Sequence, residues 1–483
     1  MTCPALFRWP LLALALASCS QPIAVSSDSG TAPPDASVQP DAAASPSLDA
    51  SEPEDAAMVV DASSFAPDAA SPAPDAGVPF RVSLSISPFD EVLFANSLSF
   101  TDGVRVATDM AGLEDLLMAH GGTEVYARFG TPKTKPAGAG GIDSSLARGL
   151  DRARIAQARN LPFNPELGLF RIYSDVSCQS QPDFTDWGIT LPGAWETLTV
   201  DQMVPALQQY TALAATEILK TGVRVDVWDL GNEVDFGTAG VAPKPIPGAC
   251  DGDEGAGWYH APDGVDPQIG LQSVVGLLTM AEADRITWLQ AHVWSSEAKL
   301  LAAAAAGVRS VAPNARFATH ISMSVSPTFA LAFYQAMRQG GFAVDVAGFS
   351  CYPSASDKPT DRLHQLRLTV EAVHSQLGLP VFLAEYSYPA QPMATGPYAS
   401  WNNAIANYPI SEAGQHDLLV DLASWGASGA LSGIRPWAPE VFVGDWAPMT
   451  LFKPLSTTRA QPRTGLDAIT QGLAAPNPNA LKD

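Results

Sequence analysis

From Phe80 onward the chain alternates short β-rich runs with longer stretches of helical spacing, and this alternation limits the folds open to it. The β-rich runs are 80–86, 124–129, 167–173, 224–230, 315–321, 344–350, 380–386 and 429–437. Helical spacing marks 144–159, 200–220, 288–311, 327–339, 360–377 and 411–425, with Thr199, Ser326 and Ser411 at N-cap positions. Gln202, three residues after Thr199, completes a capping box. Eight strands alternating with helices predict a closed (β/α)8 TIM barrel, of class α/β, rather than an open doubly wound sheet. No G-x-G-x-x-G follows an early strand, which disfavours a dinucleotide-binding sheet.

In such a barrel the active site lies at the C-terminal ends of the strands. The stretch "VRVDVWDLGNEVDFG", Val223 to Gly237, ends an apolar strand abruptly in Gly231, Asn232 and Glu233. The run "PVFLAE" ends in Glu385. These carboxylates close the fourth and seventh runs, so both are expected to face one central pocket. Two facing carboxylates suit glycoside hydrolysis, in which one gives a proton to the leaving oxygen and the other attacks the anomeric carbon. An Asn-Glu pair alone is more often a turn or a helix cap. The pairing with Glu385 in barrel register carries the argument.

The N-terminus has the pattern of an export signal. Arg8 precedes the apolar run Pro10 to Ala17, too short to span a bilayer. It ends in "LASC", Leu16 to Cys19, which resembles the lipobox of bacterial lipoproteins; that resemblance implies a signal peptide over 1–18 and lipidation of Cys19. Ser20 resembles the outer-membrane sorting pattern, so a lipid-anchored location at the outer membrane or cell surface is expected. Residues 19–79 are rich in Ala, Pro, Ser and Asp, repeat "PDA", and are expected to form a disordered tether. Residues 80–483 would then be the catalytic domain. The net charge of −23 argues against nucleic-acid binding. Cys178, Cys250 and Cys351 remain after the signal and lipid cysteines, so at most one disulfide forms among them, and spacing does not choose the pair.

Several segments together resemble the arabinogalactan endo-β-1,4-galactanase family, within the clan of (β/α)8 retaining glycosidases. They are "VDVWDLGNEVDFG", "DVAGFSCYP" (Asp345 to Pro353), "PVFLAEYSYP" (Pro380 to Pro389), "GIRPWAPE" (Gly433 to Glu440) and "GLFRIYSD" (Gly168 to Asp175). The resemblance covers roughly 165–450. It implies Glu233 as general acid/base, Glu385 as nucleophile, and Asn232 as a hydrogen-bond partner of the sugar hydroxyl beside the reacting carbon. It also implies that Arg128 pairs with the nucleophile, and that His320, Tyr352, Tyr388 and Trp437 belong to the substrate-binding set. The expected substrate is a β-1,4-galactan, an arabinogalactan or a related polysaccharide, cut by an endo-acting enzyme that works as a tethered monomer.

The chain departs from the family pattern at specific places. Ile172 stands where the family has His before "YSD", "RFGTPK" (Arg128 to Lys133) replaces a Trp and an acid, and Cys351 replaces the first Tyr of a pair. The loop from Thr238 to about Arg285 is far longer than expected. These departures leave two other readings open: a glycan-binding surface lipoprotein without catalysis, and a clan relative acting on mannan, xylan or glucan. No cofactor is expected. A structural calcium is conceivable at Asp251, Asp253 and Glu254, but these lack the EF-hand order and are read as a solvated acidic loop.

Overall fold

Each barrel strand is a short run of residues buried on both faces, paired with parallel neighbours and followed by a helix that covers its outer face. The computed structural model describes residues 80–481 apart from 90–92, 137–140, 172, 250–258 and 357. The expected signal peptide, Cys19, the tether, Ile172 and the acidic cluster at 251–254 lie outside the described residues.

The barrel strands are β1 (Arg81–Val82), β2 (Val125–Phe129), β3 (Pro162–Leu167), β4 (Trp228–Leu230), β5 (Phe317–Ile321), β6 (Val346–Cys351), β7 (Val381–Tyr386) and β8 (Gly433–Pro436). They pair in parallel in the order β1-β8-β7-β6-β5-β4-β3-β2, and a two-residue piece at Arg224–Val225 also pairs with β3. The main helices are α1 (Met110–Ala119), α2 (Leu146–Ala158), α3 (Val200–Lys220), α4 (Trp294–Arg309), α5 (Pro327–Gln339), α6 (Pro359–Leu377), α7 (Glu412–Trp425) and α8 (Gly465–Leu473). This is the (β/α)8 order expected from the alternation. A separate four-stranded sheet joins residues 99–107 to 452–462.

The circle closes between β1 and β2 without a regular ladder. The Thr123 N–H donates to the Val82 carbonyl at 2.9 Å, and the Tyr126 N–H donates to Ser85 Oγ at 2.8 Å. Ser83 Oγ hydrogen-bonds the Glu124 carboxyl. Side chains therefore complete the seam.

Two expectations on elements need correction. The third strand lies at 162–167, upstream of the expected 167–173. Its sequence "PFNPEL" carries two prolines, which read as a turn, yet Pro162 opens the strand and so needs no ladder partner for its missing N–H. The stretch 288–311 is two helices, Glu282–His292 and Trp294–Arg309, broken at Val293. The break lets the buried Trp294 donate its indole N–H to the Asp235 carbonyl at 3.0 Å, two residues beyond Glu233. The capping box at Thr199 is present, with its N–H donating to Gln202 at 2.9 Å.

Cys178 is disulfide-bonded, and Cys351 is a buried free thiol. Among the described residues no helix is long and apolar enough to cross a membrane.

Candidate active site

The inner face of the barrel is a layer of charge rather than of aliphatic side chains. Arg128 on β2, Glu166 on β3 and Asp229 on β4 stand in register across neighbouring strands. Arg128 Nε donates to Glu166 Oε1 at 2.5 Å, and the Tyr126 hydroxyl donates to Glu166 Oε2 at 3.0 Å. From β8, Arg435 Nη2 donates to Asp229 Oδ2 at 3.0 Å, and its guanidinium carbon lies 3.7 Å from the Tyr126 ring centroid. Burial pushes the Glu166 carboxyl up, but Arg128 and Arg435 outweigh it and hold it below its usual range.

Above this layer sits Glu385, the penultimate residue of β7. Arg128 Nη2 donates to its Oε1 at 2.6 Å and the Tyr352 hydroxyl donates to its Oε2 at 2.6 Å. Burial raises the Glu385 carboxyl, while the Arg128 charge and the Tyr352 bond oppose that rise.

Glu233 follows β4 with φ of +46°, a left-handed conformation uncommon for a residue with a side chain. A cross-brace holds it: Gln179 Nε2 donates to the Asn232 carbonyl at 2.8 Å and to the Glu233 carbonyl at 3.2 Å. Glu233 Oε2 accepts from the Val176 N–H at 3.3 Å. Burial pushes its carboxyl well above the usual range, and the charges of Glu385, Asp175 and Asp235 push it further. Two buried glutamates thus sit in opposite settings, one beside a cation and a hydroxyl donor, the other among carboxyls.

Asn232 links the two sides. Its Oδ1 accepts from Arg128 Nη2 at 2.7 Å and from His320 Nε2 at 2.8 Å, while its Nδ2 donates to the Ser174 carbonyl at 2.5 Å. One amide hydrogen stays free of these bonds. His320 is held neutral, lowered to about 3 by burial and by the nearby arginines against the pull of Glu166. Its Nε2 therefore carries the proton donated to Asn232.

The structure brings Glu233, Glu385, Asn232, Arg128, His320, Tyr352 and Trp437 to one place. Trp437 lies over Arg128, whose guanidinium carbon is 4.5 Å from the ring centroid. Tyr388 is placed elsewhere: its hydroxyl donates to the Tyr408 carbonyl at 2.5 Å and accepts from the Ile405 N–H at 3.1 Å, bracing a loop. Sequence reasoning missed Glu166, Gln179 and Asp175. Glu166 had a usable signal, an acid two positions from Asn164 in a run buried throughout, hidden by the misplaced third strand.

The long segment after Glu233 supports the loop that follows β3. The Ile246 N–H donates to the Ser177 carbonyl at 2.9 Å, and Trp195 Nε1 donates to the Ala239 carbonyl at 2.7 Å. Among the described residues no group of three or more His, Cys, Asp or Glu side chains is arranged to hold a metal ion.

A parallel barrel with a buried carboxyl pair at its C-terminal rim defines the class: this is a (β/α)8 glycosidase. Residues 261–452 match the family model described as glycosyl hydrolase family 53, the family that the motifs resemble. The matched stretch includes Glu385 and begins after Glu233. No curated protein matches the chain by sequence. Among solved structures, the family 53 catalytic domain of Ignisphaera aggregans is similar at 18% identity and a TM-score of 0.58, over 83% of this chain and 98% of that one. A fungal β-1,4-galactanase is similar at 19% identity and a TM-score of 0.57, over 81% and 99%. At these identities the likeness concerns the fold.

Proposed function

We propose that the protein is a retaining, endo-acting β-1,4-galactanase, with Glu385 as nucleophile and Glu233 as general acid/base. The observation that carries this reading is the contrast between the two carboxyls. Arg128 and Tyr352 donate to Glu385 and favour its ionised, attacking form. Glu233, buried among carboxyls, keeps its proton for the leaving oxygen. Attack by Glu385 on the anomeric carbon expels the leaving sugar oxygen, which takes the Glu233 proton. Water, deprotonated by Glu233, then releases the glycosyl group from Glu385 with net retention, which requires a carboxyl separation of about 5–5.5 Å. The free Asn232 amide hydrogen is available to the hydroxyl next to the reacting carbon. The name of the fungal structure and the matched family support galactan as substrate.

The test is reducing-sugar release from a panel of galactan, arabinogalactan, mannan, xylan and β-glucan. Galactan should be cut fastest, and Glu385→Ala should be inactive until azide restores turnover with inverted product. Full activity of Glu385→Ala would remove the assignment. The N-terminal pattern further supports display of the enzyme at the bacterial surface by lipid on Cys19, tested by palmitate labelling of wild type against Cys19→Ala.

A further inference from the structure

Glu233 belongs to a turn whose shape does not hold itself. Gly231 and Glu233 have φ of +78° and +46°, and a residue with a side chain keeps such a conformation only where its surroundings fix it. Gln179 fixes the turn from the loop after β3. On the β5 side the same task falls to Asp235.

The Asp235 carboxylate accepts from the Ser322 N–H at 2.8 Å through Oδ2 and from the Met323 N–H at 2.6 Å through Oδ1. The Val234 N–H donates to the His320 carbonyl at 3.1 Å, so three bonds join the turn to the end of β5 and the loop after it. Trp294, the first residue of α4, donates its indole N–H to the Asp235 carbonyl at 3.0 Å. All of these residues are buried. The clamp calls for a carboxylate, because an amide has one oxygen and would turn its own N–H groups toward the second backbone donor.

Asp235 also contributes charge. The charged and titratable groups around Glu233 are Glu385 from β7, Asp175 from the loop after β3 and Asp235, with Tyr173 and Tyr352 beside them. Around Asp235 stand Glu233, Glu297 from α4 and Tyr334 from α5. Glu297 is buried with neither carboxyl oxygen hydrogen-bonded among the described residues. Burial and the Asp235 charge push it well above the usual carboxylate range, so it stands neutral and does not offset Asp235.

We propose that Asp235 is a positioning residue for the acid/base step: its carboxylate clamps the end of β4 to the loop after β5 and thereby holds Glu233 within reach of the leaving oxygen. This inference rests on the catalytic reading above.

The test is Asp235→Asn, measured as kcat/KM on β-1,4-galactan and on 2,4-dinitrophenyl β-1,4-galactobioside, whose leaving group needs no proton. The variant should lose about 100-fold on galactan and less than about threefold on the aryl glycoside, as expected when one proton donor is misplaced by about 1 Å. With a negative neighbour of Glu233 removed, the alkaline limb on galactan should also move to lower pH. Asp235→Glu keeps the charge but lengthens the clamp by a methylene, so it should lower the galactan rate and leave that limb in place. Equal losses on the two substrates, or an unmoved limb in Asp235→Asn, would overturn the proposal and leave Asp235 a packing residue. If Asp235→Asn does not fold, Trp294→Phe removes only the N–H to the Asp235 carbonyl, and it should show a smaller loss confined to galactan; equal losses there overturn the proposal too. Glu233→Gln, run beside these, separates the two readings. If it cuts galactan at the wild-type rate, the acid/base assignment itself falls, whatever Asp235 does.

Discussion

Arg128 Nη2 stands 2.6 Å from Glu385 Oε1, and the same nitrogen stands 2.7 Å from Asn232 Oδ1. One guanidinium thus fixes both the carboxylate that would attack and the amide that would meet the neighbouring hydroxyl. Arg128→Lys keeps a charge but loses the planar fork that reaches Glu166, Asn232 and Glu385 together. We expect kcat to fall by roughly 100-fold or more, with the acidic limb of the pH profile moving to higher pH as Glu385 loses the guanidinium hydrogen bond. Steady-state kinetics from pH 4 to 8 check this.

The opposite settings of the two glutamates predict a bell-shaped pH dependence. On the proposed roles, activity requires Glu385 ionised, which sets the acidic limb, and Glu233 protonated, which sets the alkaline limb. Burial and the surrounding carboxyls raise Glu233, so the alkaline limb should lie well above the usual carboxylate range. Glu233→Gln should lose that limb on an activated aryl glycoside, where the leaving group needs no proton. Persistence of the limb in this variant would move the acid/base role to another group, with Asp175 first in line.

Glu166 touches neither glutamate of the pair directly, yet it shares Arg128 with Glu385. Its charge is one cause of the raised Glu385 carboxyl. Glu166→Gln leaves Arg128 with a single carboxylate partner, so the Glu385 carboxyl should titrate lower and the acidic limb should shift to lower pH. A role in packing alone would lower kcat and leave that limb in place. Removing one side of this buried pair also costs stability, on the order of 3–5 kcal/mol, measurable by urea denaturation.

Away from the site, Glu114 and Glu440 are buried carboxyls, pushed up by burial to about 8 and about 7. Their folded values exceed the unfolded carboxylate value of about 4.3. In that window the folded protein holds protons that the unfolded chain releases, so stability falls as pH rises from about 4.3 through the folded values and levels off above them. Glu114→Gln should flatten this decline by up to about 1.4 kcal/mol per pH unit across the window. Urea titrations at pH 5 and pH 8 measure it.

The barrel was legible in the sequence because its outer layer obeys simple periodicity. Helices α3 and α5 begin and end where their caps and spacing place them. The site was legible only where chemistry interrupts an apolar run, at Asn232, Glu233 and Glu385. β3 was misplaced because prolines within a buried strand look like punctuation, and Glu166 was lost with it. Tyr388 shows the converse failure. It lies in a site motif, but its hydroxyl is bound by a backbone loop that no local pattern announces. Gln179 braces Glu233 through a contact 54 residues distant along the chain, which strand and helix periods do not encode.

The seam between β1 and β2 gives the barrel a mechanical direction. β1 contributes only two ladder residues, to β8, and meets β2 through serine and threonine side chains and single backbone bonds. The run from β8 round to β2 is continuous without it. A load drawn through the residues before Phe80 would reach β1 first, and that strand can yield while β4 and β7, which aim the two glutamates, keep their neighbours.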